Sequence, residues 1–273
     1  MTMRIPVSAL IGLTMMAFFF SLAVFAPLIA PYGIGEVVGD VWEPMSAKHW
    51  LGTDNIGRDL LTRMIYGART TIFIASAATV LSFTLGTLLA LSAVVLGGWV
   101  DMALSRFIDL IMTIPTLIFA LVVLSVVPTS ILILIVLMGL LDTTRVYRLA
   151  RAVAVDINVM DYVEAARLRG EGTRWIVLRE ILPNALSPLV AELGLRFIFM
   201  VLFISTLSFL GLGVLPPDTD WGAIVKENKE GLVYGIPAAL APAVAIATLA
   251  ISVNLVADWV LNRTTSLKGG RNA

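Results

Sequence analysis

The sequence predicts an all-α membrane protein that crosses the bilayer six times, and three observations carry that expectation. Hydrophobic residues make up 59% of the 273-residue chain and its mean hydropathy is +0.94, too apolar for a water-soluble domain. Several of its apolar runs reach the roughly 20 residues that a helix needs to cross hydrocarbon. Its basic residues gather in alternate connecting segments, as they do in polytopic chains.

Taken in order, the spans are Ile5–Ile29, Thr70–Leu96, Phe107–Val127, Thr129 to about Tyr147, Pro188–Val214 and Ile236–Leu261. The first is longer than a signal-peptide core, and Val24-Phe25-Ala26-Pro27 is a poor cleavage site, so this segment is expected to stay in place. The fourth is the shortest: its uninterrupted apolar run, Ile131–Leu141, cannot cross alone. Asp142 and Arg145, at i and i+3, can pair on one face there, and the helix can continue beyond the bilayer through Arg148 and Arg151. With six spans both termini share a side. Placing them in the cytoplasm puts Arg4, Arg106, the seven arginines from Arg145 to Arg179, Arg263, Lys268 and Arg271 inside, 12 of the 19 basic residues. Lys48, Arg58, Arg63, Arg69, Lys226 and Lys229 fall outside and Arg196 within the fifth span, an asymmetry that obeys the positive-inside rule. No repeat or linker interrupts the pattern, so 1–273 reads as a single transmembrane domain.

Composition also narrows the chemistry. There is no cysteine and only one histidine, His49, which removes disulfides, thiolate metal sites and a histidine ligand cluster. Zero net charge argues against a nucleic-acid partner. None of the four lysines follows a glycine, so the phosphate-binding loop of an ATPase is absent. An intramembrane enzyme lacks residues to work with. An ion-coupled carrier would have to rely on Asp109, Asp142 or Asp258.

The most informative stretch is Tyr162-Val163-Glu164-Ala165-Ala166-Arg167-Leu168-Arg169-Gly170 with Ile181-Leu182-Pro183-Asn184 behind it. Asp161 is placed to cap a short helix with Glu164 returning the bond, and Gly170 to end it in a left-handed turn. Ala165 and Ala166 keep that helix slim. A second helix is expected over Thr173–Leu182, ended by Pro183. The sequence thus describes a rigid helical pair on the cytoplasmic side.

These residues resemble the cytoplasmic Glu-Ala-Ala loop of ABC importer permeases. The resemblance extends further. His49-Trp50-Leu51-Gly52-Thr53-Asp54-Asn55-Ile56-Gly57-Arg58-Asp59, continued by Tyr66-Gly67-Ala68-Arg69, is similar to a signature of the dipeptide/oligopeptide/nickel branch, in its second-permease type. Leu207-Ser208-Phe209-Leu210-Gly211-Leu212-Gly213 with Pro216-Pro217 and Trp221-Gly222 matches the same branch, as do Arg148 and Arg151 as an Arg-x-x-Arg pair. The aromatic usual before that pair is replaced by Asp142-Thr143-Thr144. Together the matches run from about His49 to Asp258.

The resemblance implies the type I ABC importer permease fold: six transmembrane helices with a cytoplasmic coupling helix, a transport core over about 68–262, a periplasmic loop over about 30–69 and a cytoplasmic loop over about 148–186. It implies an inner-membrane subunit working with a homologous second permease, two ABC ATPase subunits and an external substrate-binding protein. This chain would bind no cofactor or metal itself; ATP and Mg²⁺ would sit on the partner subunits. The solute would be a peptide, or, within the same branch, a nickel chelate, an opine or a sugar. Coupling to the ATPase would fall to Glu164, Ala165, Ala166 and Gly170 with Arg148, Arg151 and Pro183. Gly52, Thr53, Asp54, Gly57, Arg58, Asp59 and Trp221 would either dock the binding protein or gate, or simply order the loop. By their chemistry Gly52 and Gly57 allow turns, Asp54 and Asn55 bond nearby backbone, and Arg58 with Asp59 can form local ion pairs. Ser205, Ser208 and Asn254 are candidates for lining the pathway, although hydroxyls in an apolar helix commonly bond back to their own backbone. Glu192 and Arg196, i and i+4, are expected to pair within their helix.

Overall fold

The computed structural model describes residues 6–269. Arg4 and Arg271, which entered the charge count, lie outside the described residues, as do the side chains of Arg263 and Lys268. Among the described residues the regular structure is helical, with only two isolated bridges, Val37 to Arg58 and Thr53 to Asp59. In chain order the helices are α1 (Val7–Ile29), α2 (Leu60–Leu96), α3 (Gly98–Met112), α4 (Thr116–Val126), α5 (Ile131–Asn158), α6 (Asp161–Leu168) and α7 (Thr173–Trp175). A π-helical turn, Ile176–Ile181, leads into α8 (Leu182–Leu210), followed by α9 (Trp221–Asn228), two short 3-10 segments and α10 (Leu240–Gly269).

Val7–Ile29, Leu60–Leu96, Pro188–Leu210 and Pro237–Asn262 have the length and apolarity of membrane spans, and they carry the first, second, fifth and sixth expected crossings. The third differs from expectation. Its residues divide between α3 and α4, which are bent by 79°. Pro115 is the reason: it has no N–H to return to the preceding turn and disfavours helical backbone at Ile114. The fourth lies in α5, where Asp142, Arg145 and Arg148 make the helix too polar to count as a span by composition. Among the described residues there are therefore four spans by length and composition, or five if the bent pair is one, where six were expected. α5 does continue past Arg148 and Arg151, as far as Asn158.

α2 begins ten residues before the expected Thr70, which draws Arg63 and Arg69 out of the loop and into the helix. Its start follows from Asp59, whose carboxylate accepts the Thr62 N–H at 2.7 Å as an N-cap. At the other end of the chain's apolar core, Pro183 does not stop a helix. The Leu182 N–H bonds to the Val177 carbonyl, the i to i−5 spacing of a π turn, and the wider turn accommodates the proline at the head of α8.

The chain packs as two compact units. One comprises the residues up to Ser76, Leu121–Ile135 and Phe197–Val256; the other comprises Ala77–Ala120, Val136–Arg196 and the chain from Ala257 onward. In the first, small residues let helices touch at their backbones: a Cβ on Gly12 of α1 would stand 2.8 Å from the Ser252 carbonyl of α10, and one on Gly222 of α9 would stand 2.2 Å from the Ser205 carbonyl of α8. The second uses the same device between α2 and α5, with Gly86 against Val146 and Gly139 against Leu81. Tyr147 is the large side chain at its centre, packed among Ala90, Ala93, Ile108, Ala150, Ala185 and Leu189 and bonded through its hydroxyl to Ser105 at 3.0 Å.

Candidate functional site

In the second unit, α6 carries the Glu-Ala-Ala sequence. Val163 and Ala166 are buried, and Val163 joins a cluster with Leu91, Val94, Ala154, Ile176, Val177 and Ile181. The opposite face, with Tyr162, Glu164, Ala165 and Leu168, is exposed, Leu168 to 85%. Two apolar anchors three residues apart therefore hold the helix by one edge and leave the rest of its circumference open.

The helix start departs from expectation. Asp161 is the first helical residue, the N-cap is Met160, and no side chain caps the turn. Asp161 and Glu164 instead lie in the first turn, where a negative charge offsets the positive end of the helix dipole. The C-terminus is as expected. Gly170 has φ +82°, its N–H bonds the Arg167 carbonyl at 2.9 Å and the Glu171 N–H bonds the Ala166 carbonyl at 3.2 Å, a complete Schellman closure. Beyond it, Arg169 pairs with Glu180 at 3.5 Å and the Arg179 guanidinium lies over the Trp175 ring at 5.2 Å. Burial and then the Glu180 carboxylate push the Tyr162 hydroxyl pKa above its ordinary value.

Arg148 and Arg151 face a different element. Arg151 grips Asp101 of α3 with two bonds of 2.7 and 2.6 Å, while Arg148 reaches the Met112 sulfur at 3.8 Å. They brace α3 against α5. Asp142 feels the charge of Arg145, as expected, but its contacts are on other helices: it meets Arg196 at 3.6 Å and Ser82 at 3.3 Å, while Arg145 donates to Thr116 at 3.3 Å. The expected Glu192–Arg196 pair is present at 2.5 Å.

In the first unit, the signature before α2 is folded into an ion network. Asp54 is fully buried and takes Arg58 Nε at 2.7 Å and Arg63 Nη1 at 2.8 Å, while its other oxygen accepts the Ile56 and Arg58 N–H groups. Both arginines also bind Glu227 of α9, and Arg63 adds Thr219 at 2.8 Å. Arg58 therefore does not pair with Asp59, which caps α2 and meets His49 at 3.2 Å. Thr53 bridges the Asp40 carbonyl and the Glu43 N–H. Gly52 and Gly57 have φ of +78° and +84°, and a Cβ on them would collide with the Glu43 and Gly39 carbonyls. The expected turns are thus obligatory. Asn228 completes the seam, accepting from Trp42 Nε1 at 3.2 Å and from the Asn55 N–H at 3.0 Å.

Trp221 is 1% exposed, with its indole donating to the Met64 carbonyl at 3.0 Å and its ring edge-on to Phe19. The side chains of Thr53, Asp54 and Asp59, named with it as candidates for docking or gating, are buried too. Ser205 bonds back to the Val201 carbonyl at 2.8 Å. Ser208 is buried and binds Asp220, which caps α9 through the Gly222 and Ala223 N–H groups. Both hydroxyls thus have partners within the protein. Asn254 is exposed on α10, as is Asp258, and no hydrogen bond among the described residues joins Asn254 to Ser205 or Ser208. Arg63, Asp220, Glu227 and Asn228 are the residues that sequence reasoning missed. Only Asp220, directly before Trp221-Gly222, carried a local signal, that of a helix N-cap. Among the described residues no group of three or more His, Asp or Glu side chains is placed to hold a metal ion.

Comparison with known proteins meets this geometry. Residues 82–266 match the family described as binding-protein-dependent transport system inner membrane component. The dipeptide transport system permease protein DppC of Alkalihalophilus pseudofirmus is 29% identical over 251 residues, covering 92% of this chain and 83% of that protein. The di/tripeptide transport system permease protein DppC of Pseudomonas aeruginosa is 32% identical over 257 residues, covering 92% and 85%, and the dipeptide permease DppC of Haemophilus influenzae is 31% identical with coverage of 92% and 87%. With the Glu-Ala-Ala helix anchored at one edge and the signature before α2 joined to α9, the chain belongs to the family of binding-protein-dependent transport system inner membrane components.

Proposed function

We propose that this chain is the membrane-embedded subunit of an ATP-driven importer of di- and oligopeptides, and that α6 is the element through which a partner ATPase moves it. The observation that carries the reading is the form of α6: a short helix closed by a Schellman turn, held by Val163 and Ala166, with Glu164, Ala165 and Leu168 left exposed for a second protein. The peptide assignment rests on relatives that are named dipeptide and di/tripeptide permeases.

On this reading the partners are a homologous second permease, two ATPases carrying ATP and Mg²⁺, and an external binding protein. The membrane is the bacterial inner membrane, both termini face the cytoplasm, and 1–273 forms one permease domain because α2, α5, α8 and α10 each contribute residues to both compact units. ATP-driven closure of the partners moves α6 as a rigid body, and the packed helices switch between two arrangements. Arg148 and Arg151 contribute by fixing α3 to α5, and Pro183 by setting the entry of α8. Docking of the binding protein passes from the buried signature to its exposed neighbours, Trp50 and Ile56. The buried residues hold the loop against α9.

The test is uptake of a labelled dipeptide by cells or proteoliposomes carrying the full transporter. Glu164→Lys and Gly170→Val are expected to abolish uptake while the binding protein keeps its affinity for solute. Near-normal uptake in both variants overturns the assignment of α6. Uptake that survives ATP depletion but stops with an uncoupler replaces the importer by an ion-coupled carrier.

A further inference from the structure

The first unit contains a cavity of about 700 Å³ that no part of the coupling mechanism uses. Its wall includes Phe20 and Val24 of α1, Tyr66, Arg69 and Phe73 of α2, and Asp218 of the segment before α9. Arg69 and Asp218 are both exposed, and among the described residues neither has a hydrogen bond or ion pair with the protein. Two opposite charges lining one cavity without neutralising each other describe the complement of a zwitterion.

Depth along the helices identifies which kind. Arg69 is the last charged residue before Thr70–Leu96, a run with no Asp, Glu, Lys or Arg, so it stands at the head of the span. Phe73 lies one turn deeper in α2. Phe20 and Val24 lie in α1, which has no charged residue from Val7 to Ile29 and displays Phe18, Val24 and Leu28 outward. The cavity therefore has charge at the level of the membrane interface and phenyl and aliphatic walls toward the hydrocarbon. A small hydrophilic solute has no use for those walls, whereas an acyl chain does. Arg presents a planar fork suited to a phosphate, and a long cation at this depth reaches the headgroup layer by extending its stem. A carboxylate on the wall of the same cavity accepts hydrogen bonds from a primary ammonium, which a choline group cannot give.

We infer that this cavity binds one zwitterionic phospholipid of the ethanolamine type, with its phosphate on Arg69, its ammonium on Asp218 and an acyl chain along Phe20, Val24 and Phe73. The site lies apart from α6, and the inference stands whether or not the chain transports peptides.

Native mass spectrometry of the complete transporter, purified in mild detergent and exchanged into phosphatidylethanolamine, phosphatidylcholine or phosphatidylglycerol, tests it. The wild type is expected to retain phosphatidylethanolamine about tenfold better than the other two. Arg69→Gln is expected to lower its retention by a similar factor, and Asp218→Asn to erase the preference for ethanolamine over choline. Both side chains are exposed and unpaired, so both variants are expected to assemble; a thermal melt in the same detergent verifies this. Retention that is indifferent to headgroup, or unchanged in both variants, overturns the inference. So does displacement of the lipid by millimolar dialanine, which reassigns the cavity to a small zwitterion. Dipeptide uptake measured on the same preparations reports separately on the transport reading.

Discussion

The two signature regions of this chain use charge in opposite ways. Before α2, Asp54, Arg58, Arg63 and Glu227 face each other in the interior and hold the loop to α9. Around α6, Asp161, Glu164 and Arg167 lie on the surface while only Val163 and Ala166 are buried. A charged motif that is buried is a structural joint, because each ion that has left water must be answered by another. A charged motif left exposed on a one-edged helix remains available to a partner. The same residue types thus mean architecture in one place and contact in the other, and burial is what separates them.

The largest effect expected from breaking this contrast comes from Arg63→Met. It removes one of the two cations that Asp54 and Glu227 share, together with the donor to Thr219, and leaving both carboxylates to Arg58 alone costs about 3 kcal/mol. Thermal unfolding of the purified transporter in detergent is the measurement, and an unchanged melt would mean that the network does not hold the loop. Gly52→Ala comes next, at about 2–3 kcal/mol, because φ is +78° and the added Cβ would stand 2.3 Å from the Glu43 carbonyl.

A third prediction sharpens the comparison by titration. Burial raises the pKa of Asp220 from 3.8 to about 6, against the lowering effect of Ser208 and three backbone N–H groups. The folded chain then binds this proton more tightly than the unfolded chain. Stability attributable to Asp220 is therefore greatest below pH 4, falls as pH rises toward 6 and is level above it. The difference in melting temperature between wild type and Asp220→Asn should show this slope between pH 4 and pH 6, and a flat difference would refute it.

At α6 the expected stability effects are smaller. Gly170→Ala meets no atom within 4 Å and suffers only the left-handed backbone at φ +82°, about 1 kcal/mol. Leu168→Ser touches an exposed side chain and should leave stability within about 0.5 kcal/mol, yet reduce the stimulation of ATPase activity by loaded binding protein. Should Leu168→Ser lower the melting temperature and spare the coupling, α6 would be an architectural joint like the loop before α2.

Much of this was legible beforehand where the cause is local. The left-handed stop at Gly170, the forced turns at Gly52 and Gly57, the Glu192–Arg196 pair and four of the spans each depend on a residue and its near neighbours. Expectations failed where a distant residue competed. Arg58 was matched to its neighbour Asp59, but Asp54 and Glu227 offered a buried and better satisfied site. Asp142 takes Ser82 and Arg196 as contacts in addition to the charge of Arg145. The third span, expected to run unbroken over Phe107–Val127, bends at Pro115, and the stop expected at Pro183 is absent because the π turn before it absorbs the proline.

By itself, then, the sequence determined a helical membrane chain of an importer permease family, with its main spans and the closure of its Glu-Ala-Ala helix, because hydrophobic length, backbone freedom and i to i+4 spacing act within a few turns of each residue. Only the tertiary structure decided which charges are interior, that Ser208 holds Asp220, and that Trp221 fills a core. Those outcomes depend on what stands across a helix interface, and a buried polar group selects, from residues far apart in the chain, the partner that leaves the fewest hydrogen bonds unmade.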